Sequence, residues 1–139
     1  MDPDKPQPME LPDSLRERLD AYGDEFVADF LGRYVDRAPD PDNVEVLIEL
    51  GHLLTKLGRY EQGLVVDQRL ADLLPDEPTV HYNLACSLAL TGARDEALAT
   101  LEHCLEIGYD DADFMLADDD LACLRDDPRF RNLVDRLRA

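Results

Sequence analysis

Apolar residues recur every three to four positions along most of the chain, the rhythm of amphipathic helices rather than strands. Leu15, Leu19 and Tyr22 follow it first. Phe26, Val27, Phe30, Leu31, Tyr34 and Val35 then form a broad apolar face, with Val27, Leu31 and Tyr34 expected in the core. Gly23 is expected to part this stretch into two helices. Ala38-Pro39-Asp40-Pro41-Asp42 ends the second, because proline biases the residue before it away from helix. Residues 1–10, with Pro3, Pro6 and Pro8 among charges, read as a flexible tail, and 11–41 as a helical hairpin.

The middle of the chain repeats itself. Residues 44–77 align with 78–111 at a period of 34. Leu47-x-x-Leu50-Gly51-x-x-Leu54 lies over His81-x-x-Leu84-Ala85-x-x-Leu88, Gly58 over Gly92, Gly63 over Ala97, and Leu70 over Cys104. Each unit reads as helix, glycine turn, helix, and Pro75 closes the first. The small residues Gly51 and Ala85, and Gly63 and Ala97, recur at matched positions of the two units. Gly58 and Gly92 suit the positive φ of a tight helix end.

These residues resemble the tetratricopeptide repeat family. Its units carry a large residue, Leu, Gly and an aromatic in the first helix, then Ala, an aromatic and a closing Pro in the second. The match departs at Leu47 and His81 (for the opening aromatic), at Asp67 (for an apolar residue), at Arg94 (for Tyr) and at Tyr109 (for the closing Pro). The resemblance implies an all-α, right-handed superhelix of antiparallel helix pairs. Residues 44–77 and 78–111 would be two repeats, 11–41 a degenerate one with Pro39 as its closing proline, and 112–139 a helical C-terminal cap like those that follow bacterial arrays of this kind. In the cap, Asp127 and Pro128 start the last helix, and Phe130, Leu133, Val134 and Leu137 form its buried stripe.

Composition narrows the partners. The 139 residues carry 32 Asp+Glu against 14 Lys+Arg, a net charge of -18, with 45% hydrophobic residues. That apolar share supports a folded core. The acid excess argues against nucleic acid and against anionic membrane surfaces, both of which require a basic footprint. Cys86, Cys104 and Cys123 form no C-x-x-C pair and sit in apolar stretches, as small buried hydrophobes do. The start shows no apolar signal core, and no run of membrane-spanning length occurs. A cytoplasmic location is the expectation.

No catalytic constellation stands out. Ser14 and Ser87 are the serines, and Ser87 lies mid-helix without a nucleophile elbow. His81 reads as a packing residue, and His103 and Cys104, adjacent on a helix, diverge too far to share a metal. Counted as a calcium loop from Asp118, the sixth residue is Cys123 and the twelfth Arg129, which fails the Gly and Glu requirement. The runs Asp110–Asp113 and Asp118–Asp120 therefore read as solvated acids and helix caps. No enzyme, metal or cofactor is expected.

The resemblance instead implies a peptide-binding groove lined by the first helix of each unit. Its residues would be Glu45, Ile48, Glu49, His52 and Thr55, then Thr79, Tyr82, Asn83, Cys86 and Leu90, with Asp113 beyond. Asn83 matches an asparagine that holds a ligand backbone in such repeats. Ile48, His52, Asp113 and Ala117 stand where the subgroup that clamps acidic C-termini needs Lys and Arg. The partner expected is accordingly a basic or apolar protein segment. Self-association, or docking on an enzyme, is the alternative.

Overall fold

The computed structural model describes residues 12–37 and 43–139. The expected tail and the Pro39 stop lie outside these residues, as do the side chains of Leu15 and Leu19. The described chain is helical throughout, without a strand. It runs α1 (Asp13–Arg37), α2 (Val44–Lys56), α3 (Tyr60–Leu73), α4 (Pro78–Leu90), α5 (Arg94–Glu106), α6 (Ala112–Ala117), a 3₁₀ segment (Asp119–Leu124) and α7 (Pro128–Arg138). Among the described residues, no helix is long and apolar enough to cross a membrane.

The helices pack as successive neighbours, α2 on α3, α3 on α4 and α4 on α5, which makes an all-α solenoid. Small residues hold the crossings close. A Cβ at Gly51 would come within 3.1 Å of Asp67 Oδ1 and 3.6 Å of Val66 Cγ1, both on α3. Ala85 and Ala97 are fully buried where α4 meets α5. α2 and α4 end alike. Gly58 and Gly92 take φ of 74° and 86°, and the amides of Arg59 and Ala93 reach back to the carbonyls of Leu54 and Leu88 at 2.9 Å. That bond satisfies carbonyls which a helix end otherwise leaves open, and the left-handed residue that permits it is best a glycine. α5 stops the same way at Gly108.

Two cores result. Leu47, Leu50, Leu53 and Leu54 of α2 meet Val66 and Leu70 of α3, with Ala28 and Val35 of α1 above them. The larger core joins Leu84, Leu88, Leu98 and Leu101 of α4 and α5 to Met115, Leu121, Leu124, Phe130, Leu133 and Val134. The last helical segments are thereby bound into one body with α4 and α5. Asp127 caps α7 by accepting from the Arg129 amide at 2.9 Å, with Pro128 in the first turn.

The N-terminal region corrects the sequence reading. In place of a hairpin over 11–41, α1 is one continuous helix through Gly23, where an added Cβ would meet nothing within 4 Å. Glycine weakens a helix by about 1 kcal/mol, and breaks it only where contacts enforce a turn. No such contact exists at this position. The core face also differs. Ala28 and Val35 are buried, Leu31 is half-buried, and Val27 and Tyr34 are exposed. A lone helix lying on α2 can bury only one narrow stripe, so half of the broad apolar face stays outside. Lys56–Asp24 and Arg59–Asp29 ion pairs, at 2.6 and 2.7 Å, tether α1 to α2 and to the loop after it.

Candidate functional site

A cavity of about 580 Å³ opens between α2, α4 and the segment that begins at Tyr109. Its floor is polar. Asp67 of α3, only 6% exposed, accepts a hydrogen bond from Ser87 Oγ of α4 at 2.5 Å. Burial raises the Asp67 pKa, while the Ser87 bond and the charge of His52 act in the opposite direction. At the matching position of the next unit the chain carries Leu101, and beside Asp67 Gly51 leaves room for the carboxylate.

The far wall joins α4 to the C-terminal segments. Tyr82 Oη donates to Asp118 Oδ2 at 2.8 Å, and Cys86 Sγ lies 3.7 Å from the same oxygen. The other Asp118 oxygen caps the 3₁₀ segment through the Asp120 amide at 3.0 Å. The Tyr82 ring stacks on Tyr109 at 4.7 Å, nearly parallel, and Phe114 leans on Tyr82 at 5.8 Å. Burial drives the Tyr82 hydroxyl and the Cys86 thiol well above their ordinary pKa values, with the Asp118 carboxylate adding to both. Burial likewise pushes Tyr109 up to about 12. Asp120 is raised by burial and then by its neighbours Asp118 and Asp119. Burial and the Asp118 carboxylate thus both favour the protonated thiol.

Of the residues expected to form a groove, His52, Thr55, Thr79, Tyr82, Asn83 and Cys86 line this cavity. Tyr82 and Cys86 are buried in its wall, whereas Asn83 is half-buried at its edge. Glu45, Ile48 and Glu49 are exposed on α2 outside it, and Leu90 lies past it, half-buried on α4. Asp113 is not in the cavity. Its carboxylate pairs with Arg138 of α7 at 2.8 Å, so its charge serves the cap.

The sequence reading missed Gly51, Lys56, Asp67, Ser87, Tyr109, Asp111, Phe114, Asp118 and Asp120 as cavity residues. One signal was present. Carried one step further, the 34-residue period places Asp120 at the position of Cys86 and of His52. The Cys86 sulfur and one oxygen each of Asp118 and Asp120 lie within 4.8 Å of one another, a set of donors that sequence spacing alone does not suggest.

A scan against family models finds no match to the sequence, and neither does a search of curated proteins. Among solved structures, the chain is similar to MamA MSR-1 C2, a tetratricopeptide-repeat protein. The TM-score is 0.65 at 19% identity, over 86% of this chain and 70% of that one. At that identity the likeness is one of fold: the chain has a tetratricopeptide-like helical architecture.

Proposed function

We propose that this protein is a non-catalytic interaction module that holds a basic or apolar segment of a partner protein along α2, α4 and the start of the C-terminal cap. The observation that carries this reading is the cavity itself. His52 and Thr55 from one helix pair face Thr79, Asn83 and Cys86 from the next across about 580 Å³. The Asn83 amide can donate and accept at once, which suits an extended backbone. Glu45 and Glu49, exposed on α2 with no ion-pair partner among the described residues, continue the acidic surface and favour a basic ligand. The fold likeness to a tetratricopeptide-repeat protein agrees with an interaction role.

Peptides selected from a random displayed library against the immobilised full chain test this reading. Their affinities would be measured by fluorescence anisotropy. Asn83→Ala and Glu49→Lys should each weaken the basic peptides several-fold. Affinity unchanged in both variants would overturn the reading.

A second reading, self-association, rests on α1. Tyr22, Phe26, Phe30 and Tyr34 recur every fourth residue and are 63%, 67%, 53% and 43% exposed. Residues that far apart share one helix face, so four rings form a single uncovered stripe. Asp24 and Asp29 beside it are already paired with Lys56 and Arg59, so the four rings are what a second copy laid on α1 would cover. Sedimentation should then show dimers that Phe26→Glu with Phe30→Glu dissociates. A monomer at every concentration would sink this reading.

A further inference from the structure

The cavity is lined by carboxylates that take hydrogen bonds from the fold but no ion pair from a lysine or arginine among the described residues. Around it, the cap's arginines are matched with acids. Arg125 pairs with Asp119, Arg129 with Asp95 and Asp127, Arg131 with Asp126, and Arg136 with Glu102. Asp111, Asp118 and Asp120 line the cavity, yet among the described residues no lysine or arginine lies in ion-pair range of them. Lys56, the one lysine or arginine on the cavity wall among the described residues, is committed to Asp24 at 2.6 Å. Asp118 and Asp120 are half-buried, so solvent screens their field less than on the open surface.

The other wall is aromatic. Phe114 is 56% exposed, with its ring beside the Tyr82–Tyr109 stack. The Tyr109 hydroxyl is buried in that wall without a hydrogen-bond partner among the described residues. Carboxylates beside an exposed phenylalanine ring backed by a tyrosine stack are surroundings that suit an organic cation. The acids face its charged head, and the rings take its stem and its π-facing side. A bare metal ion would use neither the rings nor a space of about 580 Å³.

We infer that this cavity is a subsite for one lysine or arginine side chain of the bound partner segment, its cationic head between Asp118 and Asp120 and its stem against Phe114 and Tyr109. The inference rests on the groove reading above and adds the chemistry of one ligand position.

The selected peptides provide the test, in buffer with chelator. They should share a lysine or arginine at one fixed position. Replacing it with norleucine should weaken binding about tenfold, as loss of a partly buried charge pair does. Asp118→Asn combined with Asp120→Asn should weaken the basic peptide about tenfold and leave the norleucine peptide unchanged, since the two changes remove the same interaction. At position 118 the asparagine carbonyl can still accept from the Asp120 amide while its NH2 donates to a reoriented Tyr82 hydroxyl, and thermal melting must show the fold retained in the paired variant.

Peptides that respond to Asn83→Ala but show no fixed basic position, or ignore the paired asparagine variant, overturn the subsite and leave the groove standing. Failure to select any peptide, or indifference to Asn83→Ala and Glu49→Lys as well, overturns both. Cadmium added to the peptide-free protein should give no thiolate absorption band. A band that Cys86→Ser abolishes would assign the cavity to a metal and overturn the inference.

Discussion

Replacing Ser87 by alanine probes the cavity floor. Ser87 is 3% exposed and Asp67 6%, and the serine hydroxyl is the side-chain donor that the Asp67 carboxylate receives. Its removal leaves a buried acceptor facing the methyl group of alanine. A hydrogen bond to an ionised group contributes about 1.5–3 kcal/mol, against roughly 1 kcal/mol for a neutral pair. The loss on Ser87→Ala should therefore depend on whether Asp67 is ionised.

The Asp67 pKa is raised above its usual 3.8 in the fold. Folding then favours the protonated acid. The stability this contributes is complete below the unfolded pKa and is lost as pH rises through the folded one. The Ser87 bond opposes that loss by favouring the carboxylate. Without it the folded pKa climbs further, and the variant falls increasingly behind as pH rises. Urea unfolding followed by far-ultraviolet circular dichroism should show a deficit of roughly 1 kcal/mol in acid, where Asp67 is protonated. The deficit should grow to about 2–3 kcal/mol where it is ionised. In an Asp67→Asn background the pH dependence should vanish, and Asp67→Asn alone should hold or gain stability at neutral pH, because it removes a buried charge. A Ser87→Ala deficit that stays constant with pH would refute this account, as would a marked loss of stability in Asp67→Asn.

Other perturbations reach different parts of the fold. Phe130 is fully buried in the core where α7 packs on α5 and α6, so Phe130→Ala should cost about 3–5 kcal/mol and lower the urea midpoint accordingly; a shift equivalent to under about 1 kcal/mol would show that the cap is not part of the cooperative unit. Gly92 has φ of 86° with open space around it, so Gly92→Ala should lose about 1–2 kcal/mol from backbone strain alone, read by the same assay, and no loss would mean that the turn adopts another conformation. Added salt should raise the melting temperature, because it screens self-repulsion in a chain of net charge -18, and a flat or falling curve in moderate salt would count against that repulsion.

What could be read from the sequence follows from which constraints are local. Helices α2 to α5 and the glycine turns after α2 and α4 were legible because each crossing needs a small residue and each turn a glycine, and both needs recur at fixed spacing. Helix α1 was legible as a helix but not in its extent, because an apolar face shows that a helix is amphipathic and not how much of that face finds a partner. Gly23 looked like a break for the same reason: whether a glycine ends a helix is decided by the packing around it. The cavity was half legible. His52, Thr55, Thr79, Asn83 and Cys86 lie on the first helices of matched units, where the period puts them. The acids opposite were read as caps, and Asp111 and Asp118 do cap, at 3.0 Å to the amides of Phe114 and Asp120. Yet one carboxylate can cap a helix with one oxygen and face a cavity with the other. Asp118 does so: its second oxygen meets Tyr82, 36 residues earlier, only because the buried stripe of the cap docks the 3₁₀ segment against α4. Carboxylates that read in sequence as solvated caps thus come together beside an aromatic wall, the juxtaposition on which the proposed cationic subsite rests.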